Sequence, residues 1–246
     1  MEVHHHSHAP HGKKNWKAYF WEFLMLFLAV FCGFLAEYQL EFTIERHREK
    51  EFILSMIEDA ATDTANIHAC IIANEERIKY AESLAETCFS YGGTQVERTQ
   101  MYNSYNGCVF RPDLLYPIDR TLFQLKNSGG MRLIRNKDAA NIIIGYDNAG
   151  KSLVNQQAYY EMYLTEVTSH ASKVMNVLLL MNKTIPASQK YAQVQLISDD
   201  RKELKVLANQ AIMFKGVMHM YVVRLKRMEA SAISLMEKLR KEYRLK

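Results

Sequence analysis

Apolar and polar positions recur in steps of four and three along most of this chain, the spacing of one helix face packed against others. A first stripe takes Ile53, Ile57, Ala60, Thr64, Ile67, Ile71, Asn74, Ile78, Ala81, Ala85 and Cys88, with nine of its eleven positions apolar. A second runs through Ala139, Ile143, Tyr146, Gly150, Leu153, Gln157, Tyr160, Leu164, Val167, Ala171, Val174, Leu178 and Met181. The third takes Leu204, Leu207, Ala211, Phe214, Met218, Tyr221, Leu225, Met228, Ala232, Leu235 and Leu239, without a polar exception. Each stripe predicts a helix of about 40 to 50 residues, and the strict spacing predicts near-parallel, coiled-coil-like packing. Asn136 and Asp199 or Asp200 are the N-caps this pattern needs, while Gly92-Gly93 and Pro186 lie just past helix ends. Between the first two stripes, residues 91–117 hold Gly92, Gly93, Gly107, Pro112 and Pro117 and read as an irregular loop. A short helix is expected at about Ile118–Asn127, ended by Ser128-Gly129-Gly130.

Ahead of the stripes lies a different pattern. Ala18–Ala36 reads AYFWEFLMLFLAVFCGFLA, nineteen residues with Glu22 the only charge, or roughly 28 Å of helix, enough to span a bilayer. Phe34 and Phe31 stand where a signal-peptidase or lipoprotein cleavage site needs small residues, so the segment reads as an uncleaved membrane helix. Trp16, Tyr19 and Trp21 supply interfacial aromatics at one end. Lys13, Lys14 and Lys17 lie against the apolar block, whereas Arg46, Arg48 and Lys50 stand off behind Glu37 and Glu41. Their proximity places the N-terminus in the cytoplasm and the rest outside it, in the periplasm of a double-membraned bacterium. The polar run Glu45–Glu51 reads as a solvated helical stalk.

The expected fold class is therefore all-α: a single transmembrane helix followed by an elongated antiparallel three- to four-helix bundle. The expected organisation is a His-rich cytoplasmic tail at 1–17, a transmembrane helix at 18–37 and a helical bundle at 38–246. In this layout the first long helix rises from the membrane, the second returns and the third rises again. Residues 91–136 then cap the distal end, 184–198 make the membrane-proximal turn, and the C-terminus is distal.

Composition sharpens this without changing it. Only 10 Gly and 4 Pro occur in 246 residues, too few turn-formers for a many-stranded β fold. The net charge of 31 − 27 = +4 excludes a strongly charged disordered chain and gives no bulk signal for nucleic acid.

Candidate chemistry is sparse. His4, His5, His6, His8 and His11 could together bind Zn, Ni or Cu through neutral imidazoles, or form a tail that binds metal only in a test tube. Glu22 is either an interfacial anchor or part of an ion path or partner site, and Ala29 with Gly33 forms a small-residue face suited to helix association. Cys88 and Cys108 flank the loop; a disulfide there would stabilise an exported domain by about 3 kcal/mol, and buried free thiols are the alternative. Gly129, Gly130, Arg132 and Arg135 precede a helix start, a setting for an anion or a partner, or simply a Gly-terminated helix end. Tyr91, Tyr102, Tyr105, Phe110 and Tyr116 make the same region aromatic-rich. No Gly-rich phosphate loop, HExxH, nucleophile elbow or paired-Cys zinc spacing occurs.

The run EVHHHSHAPHGKKNWKAYFWEFLMLFLAVFCGFLAE, with the later SGGMRLIRNK, resembles a family of uncharacterised single-pass membrane proteins of the Bacteroidota with a His-rich N-terminal tail. The resemblance is specific over residues 2–37 and weaker along the helical remainder. It implies that the histidines are native and the membrane segment is retained, and it assigns no catalytic residue.

The functional expectation is a non-enzymatic, membrane-anchored interaction or scaffold subunit in contact with lipid and with a protein partner or further copies of itself. Two alternatives are an accessory sensor of a ligand, metal or pH that relays through a partner, and an auxiliary subunit of an ion-driven membrane machine.

Overall fold

The structure, a computed structural model, describes residues 15–110, 112–181 and 194–245. It is all-helical, with six α-helices among the described residues: α1 (Trp16–Phe89), α2 (Gln95–Val109), α3 (Arg120–Asn127), α4 (Lys137–Val174), the single turn α5 (Leu178–Met181) and α6 (Arg201–Glu242). The chain forms two compact units, residues 1–51 and 52–246.

The described part of the first unit is the N-terminal half of α1. It is the one helix among the described residues long and apolar enough to cross a membrane. Its large apolar side chains are exposed along the whole stretch, Met25, Val30 and Phe34 included. Phe23, Phe27 and Phe31 stack one turn apart, with ring centroids 6.1 and 5.8 Å from each other. Beyond them the surface turns polar and is held by local pairs one turn apart: Arg46 lies 4.9 Å over the Phe42 ring, and His47 pairs with Glu51 at 3.2 Å.

The second unit is built on the three stripes. Every position of the third stripe is buried. In the first two, only Thr64, Ile78 and Leu164 are half-buried and only Leu178 is exposed; the Met181 side chain lies outside the described residues. Asn136 caps α4 by accepting from Asp138 and Ala139 N–H, and Asp200 caps α6 by accepting from Lys202 N–H. At the centre Tyr160 meets the rings of Phe214 and Tyr221 edge-on, with centroids 5.1 and 5.4 Å away.

The path of the chain through this unit differs from the expected one. Asp63 meets Tyr146 and Asn74 meets Tyr160, so α4 runs parallel to α1. Glu82, Glu75 and His68 pair with Lys215, Lys226 and Glu229 in that order, so α6 runs antiparallel to α1. The reason is residues 91–136, which do not cap one end but travel back along α1 as a complete leg of the bundle. Much of the expected loop is helix: Thr94 and Glu97 form a capping box that starts α2. The leg then loses its helix where Pro112 and Pro117 cannot sustain one, and resumes as α3. The four legs run up, down, up, down. Asn136 bonds Glu242 at 2.7 Å, which puts the end of α6 beside the start of α4 at the Phe52 end, the reverse of the expected C-terminal placement. At the other end, the Tyr102 hydroxyl on α2 accepts from Asn176 N–H and donates to the Gln195 carbonyl.

Candidate functional site

The broken second leg poses a local problem. Pro112–Asp119 lies outside any helix, yet Leu115 is buried and its neighbours run beside α1. Buried backbone N–H and C=O groups need partners. From Asp113 opposite Asn74 to Thr121 opposite Asp59, eight residues of the leg cover fifteen of α1, or about 2.8 Å per residue, close to full extension.

Side chains of three surrounding helices supply the partners. Arg77 on α1 reaches the C-terminal end of α2, donating to the Phe110 carbonyl at 2.8 Å and the Cys108 carbonyl at 3.4 Å, a favourable place for a cation. Asn74 donates to the Asp113 carbonyl at 3.0 Å and accepts from the Tyr160 hydroxyl, while the Cys70 thiol donates to the same Asp113 carbonyl. Leu115 donates its N–H to the Tyr221 hydroxyl at 2.8 Å and accepts from Gln157. Asp63 accepts from Ile118 N–H and from the Tyr146 hydroxyl. One turn earlier Asp59 accepts from the backbone N–H and hydroxyl of Thr121 and pairs with Arg120 at 2.7 Å. Asp119 at the N-cap of α3 makes no side-chain cap bond; α1 caps that helix instead.

Burial sets the protonation chemistry of this spine. It pushes the Asp63 carboxyl above its ordinary value, although the Tyr146 and Ile118 hydrogen bonds pull the other way. It raises the Cys70 thiol to about 11 and the Cys88 and Cys108 thiols to about 12, which keeps them protonated and weakly nucleophilic at neutral pH. All three are free thiols in the structure. Asp63 and Cys70 end on a backbone amide and a carbonyl of the second leg, so their chemistry holds that leg in place.

Two surface features stand apart from the spine. One is a groove between α4 and α6 with Gly216 on its floor and Tyr159, Tyr163, Ile212, Met213 and Met220 on its walls. Tyr159, Ile212, Met213 and Met220 are all about half exposed, as is the neighbouring Met162. The other is a cleft of about 310 Å³ beside α3, where Pro117, Leu122, Phe123, Val154 and Met228 meet Lys126, Asp147 and Lys151.

The positions singled out from sequence are scattered. His4, His5, His6, His8 and His11 lie outside the described residues; among the described ones no group of three or more His, Cys, Asp or Glu could hold a metal. Glu22, Ala29 and Gly33 are exposed along α1, and nothing approaches within 4 Å of where a Cβ on Gly33 would sit. Gly129 adopts a left-handed conformation, φ 68°, and ends α3; Gly130 is buried against Leu125. Arg132 and Arg135 are exposed, and the first N–H groups of α4 are already taken by Asn136. Asp59, Asp63 and Arg77 were missed by the stripe pattern. Their signal was present: with Met56, Cys70 and Leu84 they form a second seam on α1, offset from the first, which a helix flanked on two sides requires.

The chain has no match among protein-family models, curated proteins or solved structures.

Proposed function

We propose that this chain is a non-enzymatic interaction subunit of a bacterial inner membrane, held by one span with its N-terminus in the cytoplasm and its bundle in the periplasm. The long apolar helix supports the anchor, and the position of Lys17 against it, with Glu37 and Glu41 on the far side, supports the orientation.

The observation that carries the interaction role is the α4–α6 groove. Tyr and Met are side chains that interfaces favour, and here Tyr159, Met213 and Met220 stand half exposed with Ile212 around a glycine with open space above it. Two helices flanking a small-residue floor accept the ridge of a third, so the occupant is a helix of a partner protein.

Photo-crosslinking in native membranes tests this, with the reactive side chain placed at Tyr159 or Met213 and, as controls, at exposed Glu86 or Lys241. Adducts are expected from the groove positions only, and their mass separates a second copy of the chain from a different protein. Equal yields from groove and control positions would remove the reading.

A further inference from the structure

The cleft beside α3 shares no lining residue with the α4–α6 groove, and its chemistry is different. Its apolar wall is open to solvent: Phe123 is 62% and Val154 43% exposed. At its rim two ammonium groups converge on one carboxylate, with Lys126 Nζ 2.5 Å from one Asp147 oxygen and Lys151 Nζ 2.7 Å from the other. The carboxylate side chain is 14% exposed and the ammonium side chains are 42% and 63% exposed.

Each ammonium carries three N–H donors, and Asp147 engages one from each. The remaining donors belong to a cluster of two lysines and one carboxylate, which by itself carries a surplus of one positive charge. Asp119 also borders the cleft but is exposed, and the carboxylate on which the two lysines meet is Asp147. The volume is at the small end of ligand sites. An apolar wall under a pair of converging cations matches a ligand with an apolar body and one anionic head.

We propose that this cleft binds a small apolar monocarboxylate, its body against Phe123, Val154 and Met228 and its carboxylate on Lys126 and Lys151. Asp147 is then an internal competitor: it occupies the lysines when the cleft is empty and weakens the ligand's hold on them.

Calorimetric titration of the full chain in phosphatidylcholine nanodiscs with 3-phenylpropionate tests this. Saturable binding with a dissociation constant below about 1 mM is expected. The neutral isostere 3-phenylpropanamide should bind at least about tenfold more weakly, and so should the acid to a Lys126→Gln/Lys151→Gln variant. Asp147→Asn should tighten binding of the acid several-fold, a change that a purely structural Asp147 would not produce. The two lysines are solvent-facing, so circular dichroism should show both variants folded. No saturable binding, equal binding of the amide, insensitivity to the lysine pair, or weakening by Asp147→Asn would each overturn the proposal. Loss of binding when phosphatidylglycerol is added to the nanodiscs would also overturn it, assigning the cleft to an anionic lipid.

Discussion

Tyr146 on α4 donates its hydroxyl hydrogen bond to the carboxylate of Asp63 on α1, across 83 residues of sequence, and the same carboxylate accepts from Ile118 N–H on the second leg. One buried acid thus joins three of the four legs.

That position makes stability depend on pH in a stated direction. Burial raises the Asp63 carboxyl above 3.8 in the folded chain, with the charge of Asp59 adding to the rise. The folded state holds this proton more tightly than the unfolded state. The group's contribution is therefore complete below about pH 3.8 and is lost as pH rises through the raised value. Asp63→Asn cannot titrate. The unfolding free energy of Asp63→Asn minus that of the native chain should be flat at the acid end and climb with pH towards neutrality, read by urea unfolding of the detergent-solubilised chain. A difference that falls with pH would contradict the assignment.

Repairing the heptads should damage the protein. Asn74→Leu and Gln157→Leu restore apolar residues to stripe positions, but they leave the Asp113 carbonyl with the Cys70 thiol as its remaining donor and remove the Gln157 donor from the Leu115 carbonyl. Each should cost about 1–3 kcal/mol. Thr64→Val is the contrast. Among the described residues the Thr64 hydroxyl bonds only the Ala60 carbonyl of its own helix, and its loss should be neutral within about 0.5 kcal/mol.

Gly107 is required by contact. A Cβ there would sit 2.4 Å from Tyr80 Cγ, so α2 approaches α1 over the face of that ring. Gly107→Ala should destabilise by about 1–3 kcal/mol. Combined with Tyr80→Ala the penalty should largely vanish, giving a coupling of about 1 kcal/mol or more in a double-mutant cycle. Simple additivity would show that the ring is not the obstacle.

Gly145 and Gly216 are the opposite case, with nothing within 4 Å of where a Cβ would sit. Replacing either by Ala should raise the unfolding free energy by about 0.5–1 kcal/mol through helix propensity and unfolded-state entropy. The two should part company in membranes. Gly216→Ala places a methyl on the floor of the α4–α6 groove and should reduce the crosslinking yield at Tyr159, whereas Gly145→Ala should leave it unchanged.

The all-α class, the three stripes and the helix caps at Asn136 and Asp200 were legible in the sequence, because helical periodicity and capping are local: a residue's neighbours three and four positions away carry the information. The apolar block was legible for the same reason, since length and composition alone decide whether a helix can cross a bilayer. The direction of α4, the position of the C-terminus and the identity of residues 91–136 as a full leg were not. They depend on which side chains satisfy the backbone of Pro112–Asp119, and those partners lie tens of residues away on α1, α4 and α6. Asn74 and Gln157 are interruptions of a stripe in one dimension and hydrogen-bond donors to an extended stretch of chain in three. The cleft beside α3 likewise exists only once the tertiary structure brings Lys126 of one helix and Lys151 of another onto Asp147. Short-range patterning determined what the three striped segments and the apolar block would become; long-range satisfaction of buried polar groups decided how the segments were arranged.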